Sequence, residues 1–223
     1  MAESEAKQSL KTRAYAEIKA RILDCTYAPG EFLNEQQLCT ALGDISRTPV
    51  RDALSRLEQE GLVTILPKKG TVVSSVTVAD VSHIYEVRML IEPYALRQYG
   101  AAIPHAQLEH FAAVMQDLPR AQRDISYFNT QDDTFHAMIV NALPNRYLQA
   151  TYYNISDLNM RFRVLSGRRG LSRVEATYAE HRAVLDACFA GDWGSASSML
   201  VHHLELGRAA AFEGLAAQDG IQL

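Results

Sequence analysis

The chain changes character once along its length. Up to residue 74 it mixes short helical patterns with two β-prone runs, and from Thr77 to its end no strand-like run appears. This restricts the fold to a small mixed N-terminal domain followed by a larger all-α one. The boundaries expected are 8–76 and 77–218. A length of 223 residues leaves room for two such domains, each with its own core.

In the N-terminal part, Tyr15, Ile18, Ile22 and Leu23 recur at helical spacing and predict a helix over about 10–25. Tyr27-Ala28-Pro29-Gly30 stops it with turn chemistry. A second helix is expected over 34–42, with Asn34 as cap and Gly43 at its end. A third opens at Ser46 or Thr48, because Pro49 loses nothing in a first helical turn. Its apolar face is Val50, Ala53, Leu54 and Leu57, and Gly61 ends it. The runs 62–66 and 71–74, joined by Pro67-Lys68-Lys69-Gly70, read as a hairpin. Three short helices and a hairpin make a winged helix-turn-helix.

Thr77 to Asp80 is similar to a capping box, with Asp in place of the usual Glu or Gln. Helices are then expected over 78–101, 104–118, 124–142, 145–166, 172–190 and 192–215. The breaks fall at Ala102-Ile103-Pro104, Leu118-Pro119, Leu143-Pro144, Ser166-Gly167 and Gly191. Pro93 is expected to kink the first of these. The fold class is therefore mainly α: a winged helix-turn-helix, then an all-α antiparallel helical bundle.

Composition narrows the function classes. No apolar run reaches 18 residues, and the opening MAESEAKQSLKTR has no apolar signal core, so a cytoplasmic protein with no membrane partner is expected. Cys25, Cys39 and Cys188 are odd in number and far apart, which suits core packing rather than disulfides or a thiolate cluster. The net charge is −4, so affinity for nucleic acid is not written in the whole-chain charge. Residues 1–78 carry ten basic and ten acidic side chains, and all the excess acid lies beyond them.

In the third helix, Arg47 and Arg51 are four residues apart and share an edge turned away from Val50, Leu54 and Leu57. Arginines at the start of a recognition helix reach guanine edges in the major groove. Ser46 and Thr48 at the helix N-terminus, and Lys68 and Lys69 at the wing tip, suit phosphates. On charge alone, solvated surface arginines explain the same pattern. The string Ser46-Arg47-Thr48-Pro49-Val50-Arg51-Asp52-Ala53-Leu54, continued by Leu57-Glu58-Gln59-Glu60-Gly61-Leu62-Val63, resembles the recognition helix of GntR-family regulators. Tyr27-Ala28-Pro29-Gly30 and Leu33-Asn34-Glu35 match the family too, so the resemblance spans about 10–75. It implies that Arg47 and Arg51 read bases, and that Gln36, Ser46, Thr48 and the wing around Gly70 touch backbone. Two departures stand out: the turn Gly43-Asp44-Ile45-Ser46 is one residue longer than the usual pattern, and Asp52 replaces the more common Glu.

In the second domain, Asp132 and His136 are spaced i, i+4 and project from one helix face, while His181 and His203 lie on two further helices. Three imidazoles and a carboxylate suit Zn²⁺, Ni²⁺ or another borderline divalent ion. On spacing alone the signal is weak, since a lone histidine on a helix is usually structural or exposed, and His202 and Asp133 are neighbours able to swap roles with His203 and Asp132. The string Asp132-Asp133-Thr134-Phe135-His136 resembles the D-x-x-F-H signature of the FadR-type (FCD-like) sensor domain of GntR regulators. Glu180-His181-Arg182-Ala183-Val184-Leu185-Asp186-Ala187, and the last helix from Gly191-Asp192 through Ala196 and 199–204, match it as well. The resemblance covers about 78–208 and implies Asp132, His136, His181 and His203 as ligands of one divalent transition metal per chain (Zn, Ni or Mn).

Arg88, in Glu86-Val87-Arg88-Met89-Leu90-Ile91-Glu92, has two readings: a bidentate clamp for an effector carboxylate, or an i, i+4 ion pair with Glu92. Tyr152, Tyr153, Asn154, Arg161 and Arg163 either line the cavity or divide into packed tyrosines and solvated arginines. Together these features imply a DNA-binding transcription regulator, a repressor, acting as a homodimer on a pseudo-palindromic operator. Its DNA affinity would be set by a small organic acid bound at the metal, with release of DNA as the family's commoner response. Two other readings stay open in the sequence: a regulator with a purely structural metal, and a mononuclear metalloenzyme. No His-Glu-x-x-His string or other motif supplies the spare general base an enzyme needs.

Overall fold

In the computed structural model, described over residues 2–165 and 171–219 with side chains over 10–165 and 173–214, the chain separates at Thr77–Val78 into two units.

The first unit is organised by one apolar face. Helix α1 (Ala2–Leu23) lays Ala14, Ile18 and Ile22 against Val50, Leu54 and Leu57 of α3 (Arg47–Gln59). Each of the larger side chains contributes roughly 1.5–3 kcal/mol by leaving water. The short α2 (Glu35–Ala41) adds Leu38 and Cys39 to this core, and Asn34 caps it by accepting from the N–H groups of Gln36 and Gln37 at 2.8 and 3.2 Å. The hairpin is β2 (Val63–Leu66) and β3 (Gly70–Val73), antiparallel with Val63 opposite Val73 and Leu66 opposite Gly70. Lys68 and Gly70 take positive φ, +63° and +120°, and close the loop between the strands. A third strand, β1 (Phe32–Leu33), pairs with the far edge of β3, giving the order β1-β3-β2. Two residues carry too little alternation to predict a strand; pairing creates this one.

The longer turn between α2 and α3 is absorbed locally. Gly43 and Asp44 take consecutive left-handed conformations, φ +87° and +54°. The Ile45 N–H then reaches back to the Cys39 carbonyl at 3.2 Å, and Arg13 donates to the Leu42 carbonyl at 2.5 Å.

The second unit is helical: α4 (Val78–Tyr99), a 3₁₀ turn over Gly100–Ala102, α5 (His105–Val114), α6 (Leu118–Arg123), α7 (Ile125–Asn141), α8 (Arg146–Leu165), α9 (Leu171–Phe189) and α10 (Trp193–Asp219). Helix α10 packs along α4 and α9, and α4 packs on α7 and α8. Close approach depends on small residues. A Cβ on Gly207 would lie 3.1 Å from the Tyr85 hydroxyl, and one on Gly100 only 2.3 Å from the Trp193 ring. Helix α4 runs through Pro93 without interruption, and Ser197 of α10 donates to the Pro93 carbonyl at 3.0 Å.

The region after α4 also departs from the sequence expectation. The helix expected over 104–118 ends at Val114, and Leu118-Pro119 opens α6 instead of only ending α5. Proline is tolerated in a first turn, and Asp117 caps this one by accepting from the Arg120 N–H at 3.3 Å. The break expected at Ser166-Gly167 lies outside the described residues. Cys39 and Cys188 are buried, and no cysteine among the described residues is in a disulfide. No helix among them is long and apolar enough to cross a membrane.

Candidate metal centre and nucleic-acid interface

Helical spacing places Asp132 and His136 on one face of α7, and the crossing of α9 and α10 brings His181 and His203 onto them. All four side chains are buried, and one donor atom from each lies within 4.8 Å of the others. Nε2 of His203 is 3.1 Å from Nε2 of His136 and 3.2 Å from Nε2 of His181. Oδ1 of Asp132 is 3.6 Å from Nε2 of His181 and 4.0 Å from that of His136. Of the two neighbours able to swap roles with these ligands, Asp133 is partly exposed and His202 exposed.

Each of these side chains is oriented by another group. Nδ1 of His136 meets Oε2 of Glu92 at 2.6 Å, and Oε1 of Glu92 accepts from Nε of Arg88, also at 2.6 Å. Nδ1 of His203 meets Oε2 of Glu180 at 2.7 Å, and Arg173 grips both Glu180 oxygens, at 2.6 and 2.9 Å. His181 stacks on Phe135, with ring centroids 4.1 Å apart and planes 23° from parallel. Arg163 bridges Asp132, through Oδ2, and Asp133.

The electrostatics decide what such a cluster can hold. Burial opposes ionisation of Glu92, but the charges of Arg88 and then His136 outweigh it and hold the carboxyl at about 2. Burial opposes ionisation of Glu180 as well, and the hydrogen bonds from His203 and Arg173 keep it below its ordinary range. Both are therefore carboxylates, which only accept, so the facing Nδ1 atoms of His136 and His203 carry hydrogen. Burial pushes His203 down to about 4, against its hydrogen bond to Glu180 and helped by His136. Burial and then the His203 charge push His181 well below its ordinary value. In a neutral ring with hydrogen on Nδ1, Nε2 is a bare lone pair. The Nε2 atoms of His136 and His203 face each other at 3.1 Å, close enough for one ion to engage both. The residues could therefore hold a divalent ion, three imidazoles with one carboxylate oxygen being a donor set that suits borderline transition metals.

Arg88 is buried and uses Nε for Glu92, its guanidinium carbon lying 5.3 Å from the Tyr85 ring centre. Of the two readings, the structure shows the i, i+4 ion pair with Glu92, made through Nε. The solvated-arginine reading of α8 is corrected: Arg161 and Arg163 are both buried, Tyr152 is buried, and Tyr153 and Asn154 are exposed. Arg163 is inside because two carboxylates of α7 wait there for it. The links from Glu92 to His136, from Glu180 to His203 and from Arg163 to Asp132 and Asp133 span 23 to 44 residues, and no sequence pattern signals them. Within single helices, Arg88 and Glu92 are spaced i, i+4 and Arg173 and Glu180 i, i+7, so these two contacts are local.

In the first unit, Gln36, Ser46, Arg47, Thr48, Arg51, Lys68, Lys69 and Gly70 are all exposed. Pro49 and Val50 turn inward, so the N-terminal end of α3 presents its polar edge outward. Arg47 donates to Oε1 of Gln36 at 3.0 Å, and Arg51 to both oxygens of Glu35 at 3.1 and 2.9 Å. The two helices of the helix-turn-helix are thus tied through the arginines that face outward. Ser46 starts α3 without using its hydroxyl as a cap, which leaves that oxygen for an external partner.

Comparison with known proteins agrees with both units. Residues 10–73 match the family described as bacterial regulatory proteins, gntR family, and residues 83–206 match the FCD domain. The chain is 31% identical over 180 residues to the uncharacterized HTH-type transcriptional regulator YdhC of Bacillus subtilis, covering 77% of each chain. It is 26% identical over 182 residues to the gluconate operon transcriptional repressor of Bacillus licheniformis, covering 81% of this chain and 73% of that one. Its fold is similar to that of a GntR transcriptional regulator from Rhodococcus sp. RHA1, at a TM-score of 0.77 and 22% identity, over 92% of this chain and 98% of the other. With a winged helix and a helical domain that gathers four buried side chains able to hold a metal, the chain belongs to the GntR family of DNA-binding transcription regulators, in the branch that carries an FCD domain.

Proposed function

We propose that this regulator is a repressor whose hold on its operator is set by a small organic acid bound at a divalent metal in the helical domain. The observation that carries the reading is the convergence of three imidazole nitrogens and a carboxylate oxygen in a buried site, with two buried arginines, Arg88 and Arg163, beside its carboxylates. Bound there, the ion would supply a Lewis acid for carboxylate and hydroxyl oxygens. Asp132, His136, His181 and His203 would hold it, and the terminal nitrogens of Arg88 would take the acid's carboxylate.

The class of acid has its own support. Oδ1 of Asn159 and Oγ1 of Thr177 are buried without a hydrogen-bond partner among the described residues. Asn159 lies one turn from Arg163 on α8, and Thr177 one turn from His181 on α9, each on the same helix face as its neighbour. An acid carrying hydroxyl groups would satisfy such atoms, whereas a hydrocarbon chain would leave them unpaired. A relative named for the gluconate operon points the same way.

On DNA, Arg47 and Arg51 would read base edges, while Gln36, Ser46, Thr48, Lys68, Lys69 and the backbone at Gly70 would meet phosphates. A cytoplasmic homodimer would place two recognition helices on a pseudo-palindromic operator. The acid changes DNA affinity only as far as it binds one conformer better than another.

The test is a thermal-shift screen of sugar acids and short hydroxy acids, with and without chelator. Stabilisation by an acid only in the presence of metal, with a matching loss of operator binding, supports the reading. Four protein donors also suit a closed structural site. Stabilisation by metal with no acid response would establish that alternative.

A further inference from the structure

The four proposed ligands are not held alike. His136 and His203 each present Nδ1 to a glutamate that an arginine grips from behind: Arg88–Glu92–His136 runs from α4 to α7, and Arg173–Glu180–His203 from α9 to α10. Asp132 is fixed through Oδ2 by Arg163, which leaves Oδ1 facing the imidazoles. His181 lacks any such anchor: among the described residues its Nδ1 has no hydrogen-bond partner, and Phe135 holds the ring by stacking.

We infer that Glu92 and Glu180 are positioning residues for the metal, fixing which nitrogen of His136 and His203 faces it and raising the affinity of both. The inference rests on the metal reading above. The physical reason is direct. A free imidazole exchanges hydrogen between its two nitrogens, and only the form with hydrogen on Nδ1 offers a lone pair at Nε2. A carboxylate 2.6–2.7 Å from Nδ1 selects that form, locks the ring plane, and makes Nε2 a stronger donor by withdrawing part of the proton's charge. The arginines keep the glutamates charged and hold their oxygens in place. Because both relays act on rings that share one ion, loss of either would loosen the whole shell.

The two relays differ in surroundings, which ranks them. The Glu92 side chain is fully buried, and its link to Arg88 is sealed inside the helical unit. Glu180 retains 15% exposure and lines a cavity of about 310 Å³ with Ala183, Ser198, Met199 and His202. Water can replace part of what Glu180 supplies and little of what Glu92 supplies, so Glu92 carries the larger effect.

The experiment compares the full-length wild type with Glu92→Gln, Glu180→Gln, Glu180→Ala and the exposed control His202→Gln. Zn²⁺ affinity is measured by competition with a chromogenic chelator. The visible spectrum is recorded on Co²⁺-loaded protein, and thermal melting on metal-free protein. We expect roughly 10–100-fold weaker Zn²⁺ binding in Glu92→Gln and a smaller loss in Glu180→Gln. Glu180→Ala should be weaker than Glu180→Gln, because glutamine retains an oxygen for Nδ1. The Co²⁺ bands should move in the glutamate variants and not in the control. A merely structural role would lower the metal-free melting temperature and leave affinity and bands unchanged, and that result overturns the inference. Should Glu92→Gln fail to fold, the two variants at the partly exposed Glu180 decide the matter on the same readouts. A wild type that takes up neither ion overturns the metal reading itself; wild-type affinity in the glutamate variants overturns only this inference.

Discussion

Nε2 of His136 and Nε2 of His203 face each other at 3.1 Å, and each ring holds a carboxylate on its opposite nitrogen. A divalent ion placed between these rings would engage both Nε2 atoms while the glutamates hold the opposite nitrogens.

Metal addition should therefore stabilise the wild type strongly. A ligand at about 100 times its dissociation constant adds roughly 2.7 kcal/mol. His136→Ala removes one donor and should bind little or no metal while keeping its helical signal, so its melting temperature should not respond to Zn²⁺. Elemental analysis beside circular-dichroism melts checks this. Full metal occupancy in that variant would move the site elsewhere.

Acid should destabilise the metal-free protein from a pH well above the ordinary carboxylate range. His203 titrates at about 4 when folded against 6.5 ordinarily, so the unfolded chain binds more protons between those values. Stability then falls as pH drops from about 6.5 towards 4, by on the order of 3 kcal/mol for this buried group. His181 shifts in the same direction and adds to the loss. Glu92, at about 2 against 4.5, continues it below pH 4.5. Urea melts in chelator at about pH 7.5, 6 and 5 should show the decline, and a flat profile over that range would contradict it.

Much of this fold and of its site is legible in the amino-acid sequence, and the division follows the range of the interactions. The spacing of Asp132 and His136 fixes a shared helix face, and the apolar pattern of Val50, Leu54 and Leu57 fixes which edge of α3 turns outward. Local chemistry of this kind is written in consecutive residues. Convergence of helices is not: Glu92 stands 44 residues from His136, and only the crossing of α4 with α7 joins them. Whether Arg163 lines the cavity or is solvated stays open in the sequence, because burial of an arginine depends on carboxylates 30 and 31 residues away. Pro119 is ambiguous for a different reason, since one proline can end a helix or open the next.

The recognition edge makes a prediction that charge counting alone does not. Arg51 is tied to Glu35 at 2.9 Å, so part of its charge is neutralised before DNA arrives. Arg47→Ala and Arg51→Ala should each cost roughly 1–3 kcal/mol of operator affinity and relax sequence preference. Glu35→Gln should do the opposite to non-specific binding, raising it by freeing Arg51 for phosphate. Fluorescence anisotropy on operator and scrambled duplexes at two salt concentrations separates the cases. Unchanged operator affinity in both arginine variants would sink the recognition-helix assignment.

Gly100 tests packing remote from the metal. Its Cβ would lie 2.3 Å from the Trp193 ring, too close for any real contact, so Gly100→Ala must displace the indole. Overpacking of this kind costs about 1–3 kcal/mol. Urea melts should register that loss while Zn²⁺ stoichiometry stays at the wild-type value.

Arg163 offers the sharpest test of how the domain's charge and its metal are linked. The guanidinium is buried and bridges Asp132 and Asp133. Replacing it with Met keeps most of the side chain's bulk but leaves two adjacent carboxylates without their cation. Breaking a buried pair from one side costs roughly 3–5 kcal/mol, because the remaining charge stays inside unpaired. A divalent ion held through Oδ1 of Asp132 would restore part of the missing positive charge, whereas in wild type that carboxylate is already compensated. Arg163→Met should therefore be severely destabilised in chelator and partly rescued by Zn²⁺, with a larger metal-induced gain than the wild type shows. Adding Asp133→Asn should relieve the metal-free defect by removing one of the stranded charges. Equal metal-induced gains in Arg163→Met and wild type would mean that the ion does not sit against Asp132.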